Sequence, residues 1–149
     1  MRGFEKAKGF EQLDIPTPKR STERSAGYDL ALIEETTVPA KAIVWGKTGL
    51  KAFMQDDEVL LIYPRSSLAR KYGLTLSNNV GVVDADYYSN IDNDGHIMIS
   101  LYNFSNQDVT LKQGERVAQG IFQKYLTVTD EDVVTKKRQG GFGSTGKHY

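Results

Sequence analysis

The stretch HIMISLYNFS, residues 96–105, carries apolar side chains at alternating positions. Ile97, Ile99 and Leu101 would all face the same side of an extended chain, because successive side chains of a strand point to opposite faces. The stretch therefore predicts a strand with one face against a core. Its β-branched and aromatic residues favour the same assignment.

Five other short apolar runs have the same strand-like composition. Turn residues separate them at intervals of about ten residues, which is typical of a sandwich or a barrel. The runs are TVPAKAIVWG (37–46), EVLLIYP (58–64), LTLSNNVGVV (74–83), DVTLKQG (108–114) and RVAQGIFQKYLTV (116–128). Together they predict an all-β fold.

A helix is predicted only for SSLARKYG (66–73), with Ser66 as its N-cap and Gly73 ending it. Residues 130–149 lose all periodicity and predict an extended C-terminal arm. A chain of 149 residues has the length of a single domain. We therefore predict one domain over 1–149, with an N-terminal segment at 1–22 and the arm at 130–149.

The composition excludes several classes of function. The 19 basic residues balance the 19 acidic ones, so no overall charge favours nucleic acid or an anionic membrane. The absence of cysteine excludes disulfides and cysteine-based zinc sites. The longest apolar run, Val59–Tyr63, is far too short to span a membrane. The first residues lack the apolar segment of a signal peptide, so we expect a cytoplasmic protein.

Two phosphate-binding patterns overlap in GFGSTGKH, residues 141–148. One is G-x-G-x-x-G and the other is G-x-x-x-x-G-K, and both normally open a helix whose N-terminal amides hold the phosphate. Only two residues follow Lys147 in the sequence, so we expect no helix to begin there. The glycine amides can still form an anion-binding nest. The alternative is a flexible tail, although Phe142 is unusual in a linker.

The segment GVVDADYYSNIDNDG (81–95) carries two carboxylates directly after an apolar strand. At such a strand end Asp84 would be partly desolvated, which raises a carboxyl pKa and suits it to take a proton from water. The alternative is that Asp84 and Asp86 simply open a turn. The DNDG sequence lacks the full spacing and flanking helices of a calcium-binding loop.

A second group of polar residues would suit phosphate. Arg65, Ser66 and Ser67 follow a strand and can bind an anion, although an ordinary helix cap beside an exposed arginine is the alternative. Gln119, in GERVAQ (114–119), lies in an apolar register and needs a partner if buried. His96 and His148 lack metal-binding spacing. A carboxylate with phosphate-holding groups suits attack of water on a phosphoanhydride, commonly assisted by Mg²⁺.

In this order, five segments resemble the five motifs of the trimeric dUTPases. They are AGYDL (26–30), PRSSLA (64–69), NNVGVVDADYY (78–88), GERVAQ (114–119) and GGFGSTG (140–146). The resemblance implies an all-β β-clip or jelly-roll barrel with one short helix. It also implies a homotrimer with sites shared between subunits, over which the C-terminal arm of a neighbour closes. The implied reaction is hydrolysis of dUTP to dUMP and pyrophosphate.

The resemblance also implies roles for individual residues. Asp84 would be the general base, and Asp29 would support the site. Tyr87 would pack against the deoxyribose and exclude a ribose 2′-hydroxyl, while Asn78 would read uracil in a narrow hairpin pocket. Mg²⁺ would be held mostly by the substrate phosphates and water, without direct protein ligands. The implied substrate-binding residues are Arg65, Ser66, Ser67, Asn78, Val82, Val83, Tyr87, Met98, Gln119, Arg138, Phe142, Gly143, Ser144 and Thr145.

Three departures from the family pattern affect these expectations. Ser67 stands where the second motif usually has glycine. The arm motif is one residue shorter than usual, so Lys137 is an alternative to Arg138 for binding the γ-phosphate. The link 89–97 is longer than usual, and we expect it to form an extended surface loop.

Alternative functions differ in class. The first is a non-catalytic or regulatory dUTP-binding trimer that acts through a protein partner. A second, a dCTP deaminase-related enzyme, would need a glutamate where this chain has Asp84. A purely structural trimer would leave the phosphate-type motifs without a role.

Overall fold

Short antiparallel strands form most of the regular structure in the computed structural model, which describes residues 1–134 and 136–141. One α-helix, α1 (Leu68–Tyr72), and one 3₁₀ turn (Ala85–Tyr87) accompany them there. The strands are β1 (Gly3–Lys6), β2 (Tyr28–Ala31), β3 (Thr36–Val38), β4 (Ile43–Lys47), β5 (Leu50–Phe53), β6 (Glu58–Pro64), β7 (Leu74–Leu76), β8 (Gly81–Asp84), β9 (Met98–Asn103), β10 (Val109–Leu111) and β11 (Arg116–Lys124). The prediction of an all-β fold with one short helix is confirmed.

Two larger sheets contribute most of the core. The first has the strand order β2-β11-β6-β8 and the second β4-β9-β7, while β1 pairs with β5 and β3 with β10. Ile97, Ile99 and Leu101 are each at most 2% exposed, as the alternation in 96–105 predicts. They pack in one cluster with residues of the first sheet such as Leu60 and Val117. No helix in the described ranges is long and apolar enough to cross a membrane.

Two runs predicted as single strands are each divided by a turn. In 37–46 the chain turns after Pro39, where Ala42 donates its backbone N–H to the Pro39 carbonyl at 3.0 Å. Proline has no N–H for a ladder, which favours a strand ending there. In 74–83 the chain turns at Asn79, with φ of +62°. After this turn β8 joins β6, whereas β7 joins β9, so the two halves of the run belong to different sheets.

The short helix begins one residue later than predicted. Ser67, not Ser66, is the N-cap, and its side chain makes no capping hydrogen bond. The predicted end is confirmed. Gly73 has φ of +68°, a left-handed conformation that favours glycine, and its N–H bonds the Ala69 carbonyl at 2.8 Å.

Three strands were not predicted from the sequence. β1 and β5 pair with each other, so Gly3 lies opposite Phe53 although 50 positions separate them. β2 falls within the AGYDL segment and pairs with β11. β11 itself ends at Lys124, four residues before the predicted end of its run. Each of these features depends on a distant partner strand.

Candidate active site

A largely buried carboxylate organises the first cluster of predicted site residues. Asp29 on β2 has a side chain only 12% exposed, and it accepts a hydrogen bond from Arg116 at 3.2 Å and one from Ser21 at 3.0 Å. Arg65, which follows β6, forms an ion pair with the same carboxylate at 3.5 Å. A cleft of about 650 Å³ lies beside Asp29. The carboxylate thus restrains Arg65 and Arg116, and Arg116 lines this cleft together with Asp29.

The other phosphate-type residues lie on the neighbouring chain segments. Gln119 on β11 pairs in register with Asp29 on one side and Tyr63 on the other. Its side-chain amide donates to the Pro64 carbonyl at 3.2 Å, so it has the partner that its partial burial requires. Ser66 is exposed and Ser67 is half-buried where β6 leads into α1. Antiparallel pairing of β2, β11 and β6 therefore places these motifs together.

A second cluster surrounds the predicted base. Asp84 ends β8, and its side chain is 51% exposed, so within a single chain the carboxylate is only half removed from water. Arg138 donates to Asp84 at 2.5 Å and to Asp86 at 2.6 Å, and also to the Gly140 carbonyl at 3.0 Å. The Arg138 side chain is only 11% exposed. The shortened arm therefore still brings Arg138 to the carboxylates, whereas Lys137 is exposed.

Tyr87 lies beside these carboxylates with its phenol buried. Its hydroxyl donates to the His96 carbonyl at 2.7 Å and accepts from the Asn93 side-chain amide at 2.8 Å. Burial raises the pKa of Tyr87, while the Asn93 hydrogen bond and the Arg138 charge partly oppose the rise. A Cβ on Gly141 would come within 2.7 Å of the Tyr87 ring. The arm therefore contacts Tyr87 where only a glycine fits.

The residues predicted to contact uracil lie on or near β8. Asn78 is exposed in the turn that precedes β8, Val82 is 62% exposed, and Val83 is buried. Met98 begins β9 and is half-buried. Within one chain the exposed Asn78 and Val82 would be available to a ligand or to another subunit.

The predicted extended loop at 89–97 is instead compact, which corrects the expectation. Asn90, Gly95, His96 and Ile97 are all buried. Hydrogen bonds within the loop pair its backbone groups, for example from the Asp94 N–H to the Asn90 carbonyl at 3.0 Å. Asparagine and aspartate favour such turns because their side chains bond nearby backbone groups.

His96 gives the fold a pH dependence that can be measured. Its Nε2 accepts the Gly49 N–H at 2.9 Å, so the ring must be neutral at that nitrogen. Burial lowers the pKa of His96 below 6.5, and the Lys47 charge adds to the effect. The unfolded chain therefore binds the proton first as pH falls. We expect the free energy of unfolding to decrease below about pH 6.5, by at most ~1.4 kcal/mol per pH unit.

The matched control is His96→Gln, whose side-chain oxygen can accept the Gly49 N–H but does not titrate. Denaturant unfolding of both proteins between about pH 7.5 and pH 5 separates His96 from the carboxylates, which titrate in both. As pH falls, the free energy of unfolding of the wild type should decrease relative to that of His96→Gln. A difference that stays constant over this range would contradict the neutral buried His96.

The two clusters lie at opposite ends of β6 in a single chain. Asp84 pairs in register with Val59 near the start of β6, whereas Arg65 follows its last residue. At about 3.3 Å per residue, the six intervening steps correspond to roughly 20 Å. The proposed base of one chain is therefore too far from Arg65 of that chain to act on a phosphate that Arg65 holds.

Some site residues were predicted but lie outside the described part of the chain, and others were missed. Phe142, Gly143, Ser144 and Thr145 lie outside the described residues. Arg116 was overlooked, although a charged residue at the start of a strand in GERVAQ is a visible signal. Asn90 and Asn93 were also overlooked, and their spacing before Gly95 in NIDNDG is typical of side-chain-stabilised turns.

A β fold in which carboxylates hold arginines in two clusters defines a class of proteins suited to nucleoside phosphates. A family model for dUTPase matches residues 13–146. The chain is 48% identical over 147 residues to the deoxyuridine 5′-triphosphate nucleotidohydrolase of Lactococcus lactis, covering 98% of both chains. The corresponding enzyme of Rickettsia rickettsii is 37% identical over 147 residues, covering 95% of both. The chain belongs to the dUTPase family.

Solved structures show the same fold. The crystal structure of the Streptococcus mutans dUTPase matches with a TM-score of 0.80 and 48% identity, covering 85% of this chain and 98% of that one. A mutant dUTPase from phage phi11 of S. aureus matches with a TM-score of 0.71 at 16% identity, covering 89% of this chain and 96% of that one. The dUTPase-like fold predicted from the sequence is confirmed.

Proposed function

We propose that this protein hydrolyses dUTP to dUMP and pyrophosphate, with Asp84 as general base. A water oxygen attacks the α-phosphorus, and its proton passes to the Asp84 carboxylate. The bond from the α-phosphorus to the oxygen that bridges the α- and β-phosphates breaks, and pyrophosphate leaves. The observation that carries this role is the position of Asp84. Its half-exposed carboxylate ends β8, within reach of water and beside Tyr87.

The first cluster would hold the triphosphate. Arg65, Ser66, Ser67 and Gln119 offer a guanidinium, hydroxyls and an amide, all of which donate hydrogen bonds to phosphate oxygens. Asp29 would support the site through its ion pair with Arg65 at 3.5 Å. Held by this carboxylate, the guanidinium loses less conformational freedom when substrate binds.

The β8 region would select the nucleoside. Asn78 and the backbone near Val82 and Val83 would bond the uracil edge, with Met98 beside them. A hydrogen-bonding pocket of this kind discriminates strongly because a mismatched base leaves buried polar groups unpaired. Tyr87 would pack against the deoxyribose and leave no room for a ribose 2′-hydroxyl.

The roughly 20 Å between Asp84 and Arg65 in one chain supports a site assembled from several chains. We propose a homotrimer in which one subunit presents the phosphate-holding cluster to the Asp84 and Tyr87 of a neighbour. The arm would close over this shared site, with Arg138 taking the γ-phosphate and Phe142 the uracil ring. Gly143, Ser144 and Thr145 would wrap the phosphates. Closure excludes water and strengthens charge contacts inside the site.

Mg²⁺ fits this site through the substrate. The described residues contain no group of three or more histidine, aspartate or glutamate side chains that could hold a metal ion. Mg²⁺ commonly keeps several waters and binds substrate phosphates, so dUTP itself would supply its main ligands. The bound ion would neutralise phosphate charge. The phage phi11 relative coordinates a structural Mg(II) ion, which is a property of that protein.

The regulatory dUTP-binding alternative is not favoured, because this chain has Asp84 at the position of the base and matches named nucleotidohydrolases over nearly its full length. The deaminase-related alternative lacks the glutamate that it requires at Asp84. A cytoplasmic location and a regulatory protein partner remain predictions from the sequence.

Pyrophosphate release from dUTP, dCTP, dTTP and UTP tests the proposal, with light scattering to measure the mass of the particle. We expect rapid release from dUTP alone, by a particle of three chains. EDTA should lower the rate by at least about tenfold, because the phosphate charge would no longer be neutralised. Release from all four nucleotides would contradict the uracil pocket. No release from a folded trimer that binds dUTP would contradict the catalytic proposal.

A further inference from the structure

The loop 88–95 surrounds Tyr87 with a network of hydrogen bonds that the reaction itself does not require. Asn93 is at its centre. Its Nδ2 donates to the Tyr87 hydroxyl at 2.8 Å, while its Oδ1 accepts the Gly95 N–H at 3.1 Å and the Asn90 amide at 2.8 Å. These two donors determine which end of the Asn93 amide faces the phenol.

Asn90 holds Asn93 and Tyr87 together. Its Oδ1 accepts the backbone N–H groups of Asp92 at 3.0 Å and Asn93 at 3.2 Å. Its Nδ2 donates to the Tyr87 carbonyl at 2.8 Å and to Asn93. Asn90 is only 7% exposed, so these hydrogen bonds face little competition from water.

The rest of the loop is anchored to β5. Lys51 forms an ion pair with Asp94 at 2.9 Å and donates to the Ser89 hydroxyl at 2.9 Å. The Lys8 N–H also donates to Asp94, at 2.8 Å. Gly95 has φ of +84°, and a Cβ there would lie 2.8 Å from the Tyr87 carbonyl oxygen. These contacts anchor the loop to β5, while Asn93 is the loop residue that reaches the Tyr87 hydroxyl.

The Tyr87 ring has consequently only one well-bonded position. Its hydroxyl both donates to His96 and accepts from Asn93, which is a full set for a buried phenol with these neighbours. Rotating or sliding the ring would break both bonds and leave the Asn93 amide and the His96 carbonyl unpaired. A ring that selects between hydrogen and hydroxyl at the sugar needs such restraint, because the two groups differ by a single oxygen atom.

We propose that Asn93, braced by Asn90, is a positioning residue that holds the Tyr87 ring where it discriminates dUTP from UTP. This inference rests on the proposed function, and in particular on Tyr87 as the residue that contacts the sugar. The longer link 89–97 then has a role, because it holds the Tyr87 ring in place through the Tyr87 hydroxyl. Asn93 itself does not touch the substrate.

The test is the ratio of kcat/KM for dUTP to kcat/KM for UTP. Asn93→Asp keeps the acceptor for Gly95 and Asn90 but loses the donor to Tyr87. We expect it to lower the ratio about tenfold, since small misplacements of positioning groups have effects of this size or larger. The added negative charge would weaken the binding of dUTP and UTP alike, so this effect would cancel in the ratio.

Two further variants separate positioning from general destabilisation. Tyr87→Phe removes the hydroxyl and should lower the ratio similarly, and adding Asn93→Asp to it should cause no further loss. Asp94→Asn loosens the anchor to Lys51 without touching Tyr87, so it should lower the melting temperature yet leave the ratio within about twofold. An unchanged ratio in Asn93→Asp, an additive loss in the double variant, or an equal loss in Asp94→Asn would each overturn the inference.

A readout without nucleotide separates this inference from the proposed function. In protein labelled with ¹³C at the tyrosine Cζ, the Tyr87 signal is assigned by its loss in Tyr87→Phe. Asn93→Asp should move this signal and Asp94→Asn should not. If the wild type fails to hydrolyse dUTP although the signal moves as expected, the proposed function is wrong while the restraint on Tyr87 stands. A signal unmoved by Asn93→Asp refutes the restraint itself.

Discussion

Replacing Asp84 with asparagine is expected to lower kcat for dUTP by about 100-fold to 10,000-fold, the range usual for loss of a general base. Asparagine has nearly the same size and can hold a water, but it cannot take the proton from the attacking oxygen. Binding of dUTP should change little, because the proposed phosphate contacts come from Arg65, Ser66, Ser67 and Gln119 and not from the Asp84 carboxylate. Pyrophosphate release measures kcat, and titration calorimetry with the variant measures binding.

Asp86→Asn is the matched control for this prediction. Asp86 lies two positions further along and bonds the same Arg138 guanidinium, at 2.6 Å, but we assign it no proton-transfer role. Its replacement should therefore cost far less than replacement of Asp84, about threefold in kcat. Near-normal turnover by Asp84→Asn, or an equal loss in both variants, would show that another group activates the water.

Features determined by local composition were predictable from the sequence. EVLLIYP forms β6 over the full predicted range of 58–64, because its apolar residues are continuous and its flanks are polar. Gly73 ends α1 as predicted, since the left-handed conformation there favours glycine. The strand end that carries Asp84 was also predictable, because an apolar run stops at a carboxylate.

Features determined by distant partners were not predictable. Gly3–Lys6 and Leu50–Phe53 are short and weakly alternating, and they become strands only because they pair with each other. The contact of Arg138 with Asp84 joins residues 54 positions apart. Asn93 is a case between the two: its turn chemistry is visible in NIDNDG, but its bond to the Tyr87 hydroxyl depends on how the loop folds back.

Deleting residues 138–149 should lower kcat/KM for dUTP by at least about 100-fold, the scale of losing preorganised charge contacts and a closing segment. The deletion removes Arg138 and the contact of Gly141 with the Tyr87 ring, but none of the strands β1 to β11. The melting temperature should therefore change by only a few degrees. A second truncation that removes 142–149 alone keeps Arg138 and Gly141, so the difference between the two truncations measures the share of the loss that belongs to 138–141. Full activity of the longer truncation would contradict the role of the arm.

A mixing experiment identifies the subunit that the arm serves. Within one chain Arg138 bonds the Asp84 of the same chain, at 2.5 Å, whereas the proposed shared site takes the arm from a neighbour. An arm can make the same contacts with its own chain or with a neighbouring subunit, so these two arrangements are chemically equivalent. Asp84→Asn protein has intact arms, and the 138–149 deletion has intact Asp84. Co-refolded from denaturant, the two inactive proteins should regain activity in mixed trimers, because a complete site can draw its base and its arm from different chains. Mixed trimers, verified by distinct affinity tags, that stay inactive would show that each arm closes over the Asp84 of its own chain.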